Sequence, residues 1–259
     1  MNTPNTIATD AKDNKGGLKL LASAWSNYSF VFVFLIILVV YALTLRANGN
    51  AFKWSHVAAI LSSQNTVIVG TIALGMAMVI ITGQIDLSVG SALVLCTGAT
   101  IMAFNLTNNI LVMLLVAIAS GMVCGFINGA MVGYAKMPPF IMTLGTMLIY
   151  RSLTLSLVRA IDPAITGSNS SQFSMISENS TYDFLRMKFG TGSLDLFGLK
   201  LPYITFLFVV LLIVMVIVSK STKYGKSVYA VGSNEKTTHL VGVNVQNVKV
   251  SVFVLTGIL

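Results

Sequence analysis

The sequence predicts an all-α polytopic membrane protein with about six complete transmembrane helices, the start of a seventh, and a cytoplasmic N-terminus. Three observations carry this. Of 259 residues, 55% are hydrophobic and only 9% charged, whereas an ordinary soluble domain carries about a quarter charged residues. Several apolar runs reach the roughly 18 residues expected of a transmembrane helix. Lysines also gather in alternate short segments, as positive-inside bias requires. The net charge of +8 is explained by that bias, and a soluble nucleic-acid-binding domain would not carry these apolar tracts.

Residues 1–27 read as a polar cytoplasmic arm and 28–259 as the transmembrane domain. The first apolar run is too long for a signal-peptide core, so it is read as an uncleaved first span. The spans are about 28–45, 57–82, 87–104, 110–134, 140–158 and 202–219. The last apolar segment, 248–259, would cover only about 18 Å of a hydrocarbon core near 30 Å. A chain truncated inside a seventh span is therefore expected. With the N-terminus inside, the arm, the 83–87 break, the 135–139 turn and the 220–248 loop share one side. They hold Lys12, Lys15, Lys19, Lys136, Lys220, Lys223, Lys226 and Lys236, with Lys249 close by. The 160–201 loop faces outside, and long loops count little toward orientation.

The stretch ITGQIDLSVGSA lies in an apolar tract, 67–103, whose single charge is Asp86. As one helix that tract would be about 55 Å long, nearly twice the hydrocarbon thickness, so it must break. Gly83, Gly90 and the polar Gln84, Asp86 and Ser88 mark the place. Asp86 or Ser88 is placed to cap the following helix, whose dipole favours a carboxylate. The glycines let the backbone turn or a neighbour approach. Two readings stay open: a capped tight turn, or a polar residue on a transport pathway.

Span four carries Gly121, Gly125, Gly129 and Gly133, each four residues apart. They form one smooth ridge on one helix face, the pattern of close helix packing in lipid. Asn128 beside the ridge and Asn65 near the start of span two could pack against neighbours or line a polar path. Cys96 and Cys124 read as small apolar fillers. Pro138–Pro139 starts span five, and Arg151 within it needs a partner, water or a snorkelling route. In the 220–248 loop, Ser233-Asn234-Glu235 could cap a short helix through 237–241. That helix would lie along the membrane face, either as a lever for a soluble partner or as a lipid-surface loop.

GQIDLSVGS (83–91) resembles the signature of permease subunits of ribose/galactose/xylose-type ABC importers. PPFIMTLGTMLIYR (138–151) resembles a second segment of that family. The Thr222–Glu235 pattern T-x-x-G-x-x-x-Y-A-x-G-x-N-E, followed by Gly242-Val243-Asn244, resembles its cytoplasmic coupling loop. The resemblance implies a pathway between two permease subunits, identical or paralogous, in the bacterial inner membrane. It also implies a partner ABC ATPase inside and a periplasmic sugar-binding protein outside. Gly225, Gly232, Asn234, Glu235 and Gly242 would belong to the ATPase-coupling loop, and Asp86 and Ser88 to the signature. Members have around ten spans, so part of the expected length is absent.

No cofactor, metal site or catalytic residue is read, and lipid is the expected surroundings. A proton-coupled secondary transporter using Asp86 is the alternative, but further buried carboxylates and an inverted repeat are missing. An intramembrane enzyme is disfavoured because the spans hold no paired Asp, His cluster or Ser/His arrangement, with His56 and His239 outside them.

Overall fold

A computed structural model describes residues 14–47, 63–167, 172–173, 175–176, 183–184, 192–196 and 199–259. The chain divides into two compact units, Met1–Val57 and Ala58–Leu259. The first unit contains α1 (Asn14–Ala47), whose apolar part is Val31–Ala47. This helix begins well inside the stretch expected to be a polar arm. Residues 18–24, LKLLASA, are mostly strong helix formers and extend the helix N-terminally from the apolar run.

The second unit holds α2 (Gln64–Ile81), α3 (Val89–Thr107), α4 (Ile110–Gly133) and α5 (Pro139–Ser156). A π turn (Leu157–Ile161) and α6 (Asp162–Thr166) follow. A two-stranded antiparallel hairpin, β1 (Ser193–Leu196) and β2 (Leu199–Pro202), pairs Ser193 with Pro202 and leads into α7 (Tyr203–Ser221). Then come α8 (Lys223–Ser233), α9 (Glu235–Leu240) and α10 (Val245–Ile258). Among the described residues five helical stretches are long and apolar enough to cross a membrane: α2, α3, α4, the run Pro139–Thr166, and α7. Span five therefore continues past the expected limit at 158. Positions 57–62 of the second expected span and His56 lie outside the described residues.

The glycine ridge of α4 finds its partner in α10. A Cβ added at Gly121 would stand 2.0 Å from the Gly257 carbonyl oxygen, and one at Gly125 2.3 Å from that of Phe253. At Gly129 it would meet Val250 and at Gly133 the Gln246 oxygen, each at 2.9 Å. Without side chains on the ridge, the two backbones approach closely enough for dispersion contacts to replace the hydrophobic drive that lipid removes. The other side of α10 meets α2, where the Thr256 hydroxyl donates to the Gly75 carbonyl at 3.0 Å. Met78, Val79, Val132, Met215, Val228, Val252 and Phe253 form the buried core where α2, α4, α7, α8 and α10 converge.

Candidate functional site

The break between α2 and α3 is a folded turn. Gly83 adopts φ +75, a left-handed conformation that glycine enters without steric cost. Its N–H donates to the Ile80 carbonyl at 2.9 Å, and that of Gln84 to Val79 at 3.1 Å. Gly90 takes no such role: it sits in the first turn of α3 with open space around its Cα and an ordinary φ.

Asp86 and Ser88 act differently from helix caps. Asp86 Oδ1 accepts from the Ser88 N–H at 2.8 Å and from the Ser88 hydroxyl at 2.7 Å, an Asx turn. Ser88 has the N-cap position of α3, but its backbone is already helical and its side chain makes no cap bond. Its oxygen is instead held by the Asn128 amide, whose Nδ2 donates at 2.7 Å. An Asn128–Ser88–Asp86 relay results, with Asn128 and Ser88 2% and 0% exposed. Asn128 Oδ1 is buried and makes no hydrogen bond. From α5, the buried Thr143 hydroxyl lies 3.4 Å from the Ile85 carbonyl, so the second family-like segment also abuts the break.

These three residues line one end of a cavity of about 510 Å³. Val67, Thr100, Leu114 and Leu207, from the opposite ends of their helices, line the rest. The walls are mostly aliphatic, and Thr71, Thr97, Thr100 and Thr256 add hydroxyls to the polar relay along them. Cys96 and Cys124, read from the sequence as small apolar fillers, meet in this wall. Asn65 is exposed on the first turn of α2 and is not part of the lining. Arg151 is exposed on α5 and forms no ion pair among the described residues. Asp162, which falls at the start of the outer loop in the sequence, is buried at the end of the π turn.

The 220–248 loop folds into two helices where one is expected. Thr222 caps α8, accepting from Gly225 N–H at 3.0 Å, and Asn234 caps α9, accepting from Thr237 N–H at 3.1 Å. The apolar residues of α8 recur at helical spacing, so Val228 and Val231 are buried against the core. Thr238 pins α9 to α8 through a 2.8 Å bond to the Ala230 carbonyl. Glu235 bridges to Lys249 of α10 at 2.6 Å, and Gly242 turns the chain with φ +86. Ser251 of α10 donates to the Tyr224 hydroxyl at 3.1 Å, and burial raises that phenol's pKa.

One contact joins this helix pair to the break. A Cβ on Gly232 would stand 1.7 Å from the Ile81 carbonyl oxygen, so α8 rides directly on the last turn of α2. Gly83, Lys136, Pro138, Glu235, Lys236 and Lys249 line one groove. The three segments of this unit expected on one side of the membrane thus meet at one end of the bundle. The tip of α9 presents apolar side chains outward: Leu240 is 84% and Val241 73% exposed. Hydropathy and motif spacing do not single out this pair. The signal in the sequence is two large aliphatic residues directly after the polar run EKTTH, outside any span.

Replacing Asp86 separates its roles. Asp86→Ala leaves the buried Ser88 N–H and hydroxyl without their acceptor, expected to cost about 1–3 kcal/mol. Asp86→Asn keeps an acceptor for the Asx turn and removes the charge. The expected result is a lowered melting temperature in detergent for the Ala variant and a near-native one for Asn.

Apolar span-length helices around a buried polar relay define a multi-pass membrane protein. Residues 58–259 match the family described as branched-chain amino acid transport system / permease component, and the chain belongs to that family. It is similar to the ribose import permease protein RbsC of Haemophilus influenzae, 32% identical over 228 residues. That alignment covers 88% of this chain and 64% of the relative. RbsC of Escherichia coli K12 is 30% identical over 243 residues, 94% of this chain and 70% of that protein. The galactose/methyl galactoside import permease protein MglC of Escherichia coli K12 is 27% identical over 240 residues, 87% of this chain and 66% of MglC. No solved structure matches.

Proposed function

We propose that the protein is the transmembrane subunit of an ATP-binding-cassette importer that carries a monosaccharide across the bacterial inner membrane. A periplasmic binding protein supplies the sugar, a partner ATPase docks on α8 and α9, and a second permease subunit completes the passage. The observation that carries this reading is Gly232 seated on the Ile81 carbonyl. A protein gripping the exposed tip of α9 would push α8, and α8 has no slack against α2. The next residues are Thr82, Gly83 and the turn that presents Asp86. Glu235–Lys249 would carry the same push to α10. Motion at the helix pair thus reaches the polar relay through backbone rather than flexible side chains. Names of relatives that import ribose and galactose favour a sugar as cargo.

The docking surface is tested by Leu240→Asp with Val241→Asp in the full-length protein. Both side chains are exposed, so membrane insertion is expected to continue at native levels. Fully burying a leucine or valine side chain is worth about 1.5–3 kcal/mol, and a carboxylate in its place is costly to desolvate, so the ATPase is expected to be lost from mild-detergent purifications. Retention of the ATPase in native ratio would sink the assignment. The rival, proton-coupled reading rests on Asp86 alone and requires uptake driven by a pH gradient without ATP.

A further inference from the structure

Cys96 of α3 and Cys124 of α4 face each other across two membrane-spanning helices, with their sulfurs 4.0 Å apart. Cys124 is buried, Cys96 is partly buried, and both are free thiols. They line the same cavity as Asp86, Ser88 and Asn128. Cys124 stands one turn from Asn128 on α4, so the thiol pair and the Asn128–Ser88 bond are neighbouring links between the same two helices. Among the described residues no group of three or more His, Cys, Asp or Glu stands close enough to share a metal ion. The pair is therefore a dithiol in its own right.

A disulfide needs its sulfurs about 2 Å closer than this, and rotation about the two Cα–Cβ bonds is the motion that would close the gap. The reagent class follows from the walls. Leu93, Ile101, Ile118 and Phe208 line this cavity, with Thr97 and Thr100 near Cys96, and its mostly aliphatic wall disfavours charged oxidants, which would pay a large desolvation cost. An uncharged, lipid-soluble oxidant meets no such barrier.

We propose that Cys96 and Cys124 form a redox site that a membrane-soluble quinone oxidises to a disulfide, tying α3 to α4. Two S–H bonds break and one S–S bond forms. Two electrons and two protons pass to the quinone, which leaves as the hydroquinone. The bond fixes the register of Ser88 against Asn128, and uptake stops until a dithiol reductant cleaves it. Bond formation is independent of the transport reading; the effect on uptake rests on it.

The test uses the full-length protein in native membranes treated with a fully substituted benzoquinone, which cannot alkylate thiols. Free thiols are then counted by maleimide–polyethylene glycol gel shift under denaturing conditions, and ATP-driven sugar uptake is measured in parallel. The expected result is loss of both labels together in the unmodified protein, reversed by dithiothreitol. Cys96→Ser and Cys124→Ser should each keep the remaining label, and uptake by each should be insensitive to the quinone. Labels that survive oxidation, or that are lost equally in the single variants, overturn the site. A bond that forms while uptake is unchanged overturns the switch. Absence of uptake in reduced, unmodified protein reports failure of the transport reading and leaves the labelling result standing.

Discussion

Gly232→Val is expected to reduce ATP-driven uptake to background while leaving the protein in the membrane. The added carbon would sit 1.7 Å from the Ile81 carbonyl oxygen, far inside van der Waals contact, and the obstacle is backbone. α8 must therefore lift off α2. Overpacking of this kind costs about 1–3 kcal/mol or more, and each ~1.4 kcal/mol in coupling is about a factor of ten. The measurement is binding-protein-stimulated ATPase activity in proteoliposomes of the complete complex. Basal hydrolysis should persist, because the tip at Leu240 and Val241 is untouched, and stimulation should vanish. Gly232→Ala already places the offending Cβ, so normal stimulation in that milder variant would show that the α8–α2 contact carries no motion.

Gly125→Leu should produce the largest loss of stability. The centre of the ridge lies 2.3 Å, at Cβ, from the Phe253 carbonyl oxygen, and a leucine would wedge α4 from α10 along their length. The expected outcome is a melting temperature in detergent lowered by several degrees, on the scale of about 2–4 °C per kcal/mol for a chain of this size. Phe126→Leu is the control: Phe126 is the next residue on the same helix, 54% exposed, and its replacement should leave stability unchanged. Equal melting temperatures for the two variants would refute close packing at the ridge.

Apolar runs, glycine spacing and cap residues make much of this fold legible in the sequence. The spans follow from hydropathy because lipid demands a continuous apolar surface and internally satisfied backbone. The ridge from Gly121 to Gly133 is visible there, but its partner is not, since helix pairing joins segments far apart in the chain. The 220–248 loop hides α8 because Val228 and Val231 are spaced among lysines and glycines that lower the average hydropathy. Asn234 caps a helix as its neighbours predict. Asp86 and Ser88 stand at the break that the sequence predicts, but make bonds other than the expected caps. Spacing places them at a helix start, whereas in the folded chain their side chains bond to each other and to Asn128. Asn65 and Asn128 look alike in sequence. Which one the bundle buries depends on helix rotation, and apolar residues on every face of a spanning helix leave that rotation unwritten.

The place of α10 in the bundle also sets an order of assembly. Thr256 reaches back 181 residues to Gly75, and Gly257 closes on Gly121. The element at the centre of this unit is thus synthesised after those that surround it. Chains emerge from the ribosome at about 5–20 residues per second, so the groove between α2 and α4 stays unfilled for many seconds of translation. Throughout that interval the bare backbone of the glycine ridge is open to lipid, to an insertase or to another nascent chain. Quality control of this protein is then a contest over who first occupies that groove.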